Sequence, residues 1–494
     1  MPKITIKEID NTTPVPGSYA NFSVVVPGFV GTPLDETGFD ENGICEVSTK
    51  KDFLKYIGKV KSVARDAKAP TLVSFDGVLE KTLSHVEFLQ YSDCIYSRVE
   101  NEGTSDGYLI CSATSNTCLK GKYTKVEPEV FDDEARYCVI LKGNEGNNKE
   151  SYSSFGNQIA YELVCLGYTV LFKKVAIVTD INDYENFWSC LEDKANYDFR
   201  YVCTGLLDEN KNANEAITKL ANTREDCVAL LDISNEIYST ANTQSANISA
   251  IVADVTNNFT EASKYVAIFA PTVTYNRVAD PIYENNTLPG SFHYLVCATE
   301  AFATYPEWFA VAGYTRGVSS ESDYKVLTTG VKFGEAAINA LEPRNKSVNG
   351  IKKAINLIVK IKNSYYLWGN RTAFDLEEID AAAGTGDLKA SHFLNIRQLC
   401  CTLKKQLYIN CRKFTFEPNS DVLWINFVNA IEPLLEKMKA NQGIEDYQII
   451  KVKSTQKAKF SAIIRIVPIE AVEDFDLTIT LEDSITGATV SVEE

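Results

Sequence analysis

Cys227-Val228-Ala229-Leu230-Leu231-Asp232 is five apolar residues without interruption, closing on an acid. Tyr265-Val266-Ala267-Ile268-Phe269-Ala270 repeats the pattern a helix-length later. Shorter runs of the same kind lie at 137–141, 169–172, 175–179 and 201–204. Between several of them the apolar residues fall at helical spacing, as at Ile159, Leu163 and Leu166. Strands apolar on both faces, alternating with helices, describe a mostly parallel sheet covered on both sides. The expectation is a doubly wound α/β domain over 26–75 and 136–345.

Outward from that centre the texture changes. Residues 1–25 suggest an extended arm: Ile4 and Ile6 alternate with Thr5 and Lys7, Ile9 follows, and Pro14, Pro16 and Gly17 break the pattern. Residues 76–135 mix short strands with turn residues such as Gly103-Thr104-Ser105-Asp106-Gly107, which fits a β-rich insertion. Beyond 345, helices are expected over 347–362, 393–409 and 421–439, then a hairpin over 447–453 and 460–467. These make a C-terminal α+β domain over 346–474. In the tail, 475–494, Phe475, Leu477, Ile479 and Leu481 alternate with Asp476, Thr478 and Thr480, a strand with one apolar face and no following partner. The fold class is therefore multidomain, α/β plus α+β, with terminal strand arms.

The 494 residues carry 49 Lys+Arg against 66 Asp+Glu, a net charge of −17. That balance opposes a whole-protein nucleic-acid binder, whose footprint is basic. No apolar run approaches the ~20 residues that span a bilayer, and the N-terminus lacks a secretory apolar core. Thirteen cysteines occur without Cys-x-x-Cys spacing. They are expected to be reduced and to pack as small hydrophobes in a reducing cytosol, so the Asn-x-Ser/Thr triplets carry no glycosylation message.

Motifs for chemistry are missing. No phosphate loop, Gly-x-Gly-x-x-Gly or Gly-x-Ser-x-Gly occurs. Asp232 sits where a Walker-type acid would, but without the loop it is expected to be a capped strand end. Of three histidines, only His293 has a nearby thiol, Cys297, in what reads as a strand; at that spacing a strand holds them apart. No catalytic, cofactor or metal residue is assigned. Charge is more informative: residues 351–413 hold eleven Lys or Arg against five Asp or Glu, net +6, leaving −23 elsewhere. On the 393–409 helix, Phe393, Ile396, Cys400, Leu403 and Leu407 form an apolar stripe, and Arg397 and Lys404, with Lys405 close by, lie on another face. That face is either solvated or a docking strip for an acidic partner.

Tyr366-Leu367-Trp368-Gly369-Asn370-Arg371-Thr372 resembles the Trp-Gly-x-Arg-Thr signature of contractile phage tail sheath proteins. Leu394-Asn395-Ile396-Arg397-Gln398-Leu399, Phe416-Glu417-Pro418-Asn419 with Leu423-Trp424, and Ile466-Val467-Pro468 resemble further segments of that family in the same order; its usual Pro-Ala-Glu reads Ile469-Glu470-Ala471 here. The resemblance implies a structural role for Trp368, Gly369, Arg371, Phe416, Glu417, Pro418, Asn419 and Trp424. It further implies a cofactor-free subunit polymerising as stacked hexameric rings around a tail tube protein. Strand arms would link copies, baseplate and tail terminator proteins would cap the array, and neither nucleic acid nor membrane would be touched directly. Contraction would drive the tube through the host envelope, as part of a virion assembled in the host cytoplasm. In the family a C-terminal helix faces the tube, which makes Arg397, Lys404 and Lys405, then Lys352 and Lys353, the candidate tube contacts. The alternatives are a tailocin or extracellular injection device, and an α/β enzyme with unrecognised motifs.

Overall fold

A computed structural model describes residues 23–28, 37–57, five strands between 89 and 142, and 154–175, 181–204, 211–234, 237–276, 287–319, 324–341, 353–375, 389–453, 457–469 and 471. Ile4, Ile6, Ile9, Lys352, Phe475, Leu477, Ile479 and Leu481 lie outside them. In chain order come β1 (Ser23–Gly28), β2 (Ile44–Val47) and α1 (Lys50–Tyr56). Next are β3 (Leu89–Tyr91), β4 (Cys94–Arg98), β5 (Gly107–Ser112), β6 (Thr117–Leu119) and β7 (Tyr137–Lys142), which make a separate sheet ordered β3-β4-β7-β5-β6. The 137–141 run, expected in the central sheet, belongs here: β7 pairs with β4 and β5.

The chain continues through α2 (Ser154–Cys165), β8 (Thr169–Lys174), β9 (Tyr201–Cys203), α3 (Lys211–Arg224), β10 (Val228–Asp232), α4 (Gln244–Asn258) and β11 (Val266–Ala270). A small antiparallel sheet follows, from β12 (Val273–Tyr275), β13 (Thr287–Leu288) and β14 (Val326–Thr329), with α5 (Gly290–Thr304) between its second and third strands. Then come α6 (Glu335–Leu341), β15 (Asn356–Ile361), β16 (Ser364–Trp368), α7 (Leu394–Lys413), α8 (Asp421–Ala440) and the hairpin β17 (Ile444–Lys451) with β18 (Ala462–Pro468).

The central sheet has eight strands, ordered β16-β15-β11-β10-β9-β1-β8-β2. Its six inner strands run parallel, and β2 and β16 close the two edges antiparallel. The uninterrupted apolar runs are explained by burial on both faces. On β10, Ala229 and Leu231 enter one core and Val228 and Leu230 the other. The first core takes the buried face of α3, where Ala213, Ala216, Ile217 and Leu220 recur at helical spacing, together with α4 and α6. The second takes α1, α2 and α5. A third core, built by α7, α8 and the hairpin around Trp308, Leu403, Ile431 and Leu435, fills the C-terminal unit.

The helix expected over 347–362 is corrected. Residues 356–361 are strand β15, followed by a tight turn in which Lys362 has φ 54° and then by β16. Leu357, Ile358 and Val359 are wholly buried between the two cores. A short apolar run buried on both faces satisfies helical spacing as well as strand spacing, and the β-branched residues decide for the strand.

Candidate functional site

The signature 368–372 is a latch between the end of β16 and the start of α7. Gly369 passes so close to β15 that a Cβ would meet the Asn356 Cα at 2.7 Å, so only glycine fits. Asn356, fully buried, accepts from the Arg371 N–H at 2.7 Å and donates to the Arg371 carbonyl at 2.9 Å and to Ile268 at 3.2 Å. Asn370 and Asn395 exchange hydrogen bonds of 2.7 and 3.2 Å, and Asn395 donates to the Trp308 carbonyl at 3.0 Å. The Thr372 N–H and hydroxyl donate to His392 and Ser391 at 2.9 and 3.0 Å. The Arg371 guanidinium lies 4.5 Å from the Phe393 ring. At about 0.5–1.5 kcal/mol for each hydrogen bond, the latch contributes several kcal/mol to holding the C-terminal unit on the sheet. Trp368 is half-buried, with Tyr314 edge-on at 5.2 Å.

The second signature lies at the surface. Phe416, Glu417, Pro418 and Asn419 are exposed where α7 turns into α8, and Asn419 donates to the Lys457 carbonyl at 2.9 Å. Trp424, on the first turn of α8, packs half-buried against Phe427 and Phe460.

The basic face of α7 is corrected as well. Arg397 is wholly buried, its guanidinium 4.7 Å from the Tyr265 ring. Lys404 donates to the Tyr265 hydroxyl at 2.8 Å and meets Glu225 at 3.2 Å. Lys405 is hydrogen-bonded to Asp198 and lies 3.7 Å from Asp226. Lys353 is buried too, donating to the Ala262 carbonyl at 2.7 Å with Asp375 at 3.6 Å. The strip expected to be solvated or to face a tube is therefore turned onto the α/β domain of its own chain. Burial would raise the Asp226 carboxyl, but Lys405 and Arg224 outweigh it and hold it below the usual range. Deeper still, Arg200 pairs with Glu307 at 2.6 Å with both side chains buried, and Thr402 of α7 donates to Glu307 at 2.9 Å. That triad went unrecognised because its members come from three distant segments and form no local motif.

Asp232 ends β10 against the first turn of α5. Its two carboxylate oxygens accept from the Ser291 N–H at 2.8 Å and from the Ser291 hydroxyl. Burial raises the carboxyl to about 7, although the Ser291 donors oppose it. The folded chain then holds this proton up to about pH 7, whereas the unfolded chain releases it near pH 4. In that window the native state binds more protons, so stability falls as pH rises from about 4 to about 7. Asp232→Asn is expected to flatten that slope, read as the difference in Tm between pH 5 and pH 8; an unchanged slope would place its origin elsewhere. Neither protein is expected to gain stability from magnesium with nucleotide.

His293 and Cys297 lie on α5, not on a strand, and one helical turn brings them to 3.6 Å, with the Tyr275 hydroxyl 3.1 Å from the other ring nitrogen. Burial lowers the imidazole to about 4 and raises the thiol, so the pair is neutral. A nucleophilic thiolate needs the opposite shift and access to solvent. The nine cysteines whose side chains are described are free, and among the described residues no cluster of three or more His, Cys, Asp or Glu could hold a metal and no helix is long and apolar enough to cross a membrane.

No protein-family model matches the chain, and no curated protein does. Among solved structures, a chain of an extracellular contractile injection system, the PVC sheath complex in its contracted state, shares the fold. It aligns over 98% of both chains at 12% identity with a TM-score of 0.50. A chain of the anti-feeding prophage baseplate, 6-fold symmetrised, aligns over 98% of this chain and 99% of its own at 14% identity, TM-score 0.48.

Proposed function

We propose that this chain is a structural subunit of a contractile sheath, polymerising as stacked hexameric rings around an inner tube and shortening to drive that tube through an envelope. The observation that carries the reading is the fold shared, from end to end, with a chain of a contracted sheath complex. The buried, neutral His293 and Cys297, and a buried Asp232 whose two oxygens are taken up by Ser291, support a scaffold in place of an active site. The subunit's partners are its own copies, a tube protein, and baseplate and terminator proteins of one particle, whether phage tail or injection device.

The arms carrying Ile4, Ile6 and Ile9, and Phe475, Leu477, Ile479 and Leu481, pair with neighbouring copies. Their acceptor is the β17–β18 hairpin, a two-stranded sheet among the described residues with Ile463 and Val467 exposed on its outer face. Such a ribbon is marginal alone and gains from added strands. Negative-stain microscopy of the purified protein is expected to show long hollow tubes. A monodisperse monomer at every concentration would remove the reading.

A further inference from the structure

Phe416 is an outlier twice over. It is 89% exposed, and its φ of 74° is a conformation that bulky side chains rarely adopt. The corner around it is nonetheless firmly held. Phe414 and Glu417 donate backbone hydrogen bonds to Cys411 and Phe414 at 3.1 and 3.2 Å, and the Ser420 hydroxyl caps α8 by accepting from Leu423. Strain of this kind persists where the surroundings impose it, and such residues cluster at binding sites. Val422 and Ile425, three apart on α8, add exposed apolar surface at 65% and 55%.

Exposed cations lie on the segments flanking this corner, with Glu417 and Asp421 as the acids among them. Arg412 and Lys413 end α7 exposed, and the Asn419 hydrogen bonds bring the exposed loop bearing Lys457 and Lys459 alongside. Residues 389–469 hold thirteen Lys or Arg against six Asp or Glu, net +7, or +4 with the inward-turned Arg397, Lys404 and Lys405 set aside, and the rest of the chain carries −24. An apolar anchor flanked by cations fits a partner of opposite charge, and every other copy of this chain carries a net −24 outside 389–469.

We infer that the α7–α8 corner is a self-docking surface, with Phe416 as its anchor, seating on Asp- and Glu-rich surface of a second copy. The inference rests on the sheath reading. The contact is heterologous, a corner against a different surface, which is the kind that propagates into rings or open helices. An aromatic carried on a backbone already held in place spares the cost of ordering that backbone on binding.

The test uses the full chain in two variants, Phe416→Asn and Arg412→Glu with Lys413→Glu. Asparagine tolerates positive φ, so Tm is expected to hold or rise while the concentration needed for assembly, followed by light scattering, rises at least tenfold. The charge reversal is expected to do the same, and raised salt to weaken wild-type assembly, as the Debye length shrinks to about 3 Å at 1 M. A photo-crosslinking residue at 416 is expected to capture another copy, mapped to a segment rich in Asp and Glu. If wild type forms tubes and both variants assemble at its concentration, the corner is not the contact and the sheath reading stands. Variants that self-assemble normally but fail only around a tube assign the corner to the tube and overturn the inference. A wild-type chain that never self-associates overturns both.

Discussion

Deleting residues 475–494 is expected to leave a folded, soluble chain that no longer polymerises. Among the described residues the three cores close on one another, with members running to Ile466. What is lost is a stretch in which Phe475, Leu477, Ile479 and Leu481 alternate with polar residues, the pattern proposed to pair with a neighbouring copy. At about 0.5–1.5 kcal/mol per hydrogen bond, an added strand of this length supplies several kcal/mol per contact. At about 1.4 kcal/mol per power of ten, removal weakens each contact by a hundredfold or more. Sedimentation and microscopy of the truncated protein decide it, and tubes without the tail would show that it is not the connector.

The second large effect is expected from Arg397→Glu combined with Lys404→Glu. Were these cations on the surface, the double variant would fold normally and lose only a partner. With Arg397 wholly buried over Tyr265 and Lys404 bonded to Glu225 and the Tyr265 hydroxyl, it places two carboxylates against an aromatic ring and a third acid. Breaking a buried charge arrangement costs about 3–5 kcal/mol, a large part of a domain's usual 5–15. Arg397 dominates, because Glu225 is 40% exposed and solvent screens its pair with Lys404. The expected result is a chain recovered mainly as aggregate, or with Tm lowered by many degrees. A double variant melting with the wild type would return both side chains to the surface.

The parallel sheet was legible in the sequence because runs such as 227–231 are short, apolar at every position and repeated between helix-length stretches, as strands covered on both sides require. The same property hid β15, where a short run without alternation fits either period, and α5, where burial all round erased the polar face that would have marked a helix. On α7 the period was right and the environment wrong. A lysine on a helix suggests solvent unless its acid is in view, and here Lys404 and Lys405 find theirs 179 and 207 residues away. The Trp368–Thr372 signature was recognisable as a motif, but its work was not, because Asn356 and Asn395 complete it from segments read separately.

One helix belongs to two cores. Leu394 and Cys401 of α7 pack into the second core, while Leu399, Leu403 and Leu407 pack into the third. Twenty residues of continuous α-helix make a beam about 30 Å long. A load applied at the β17–β18 hairpin passes through α8 and along that beam into the eight-stranded sheet, and the latch at Gly369 to Thr372 stops the near end from sliding. On the sheath reading, a load received at the hairpin is carried along this helix into the sheet, and shape change is assigned to the connections between copies.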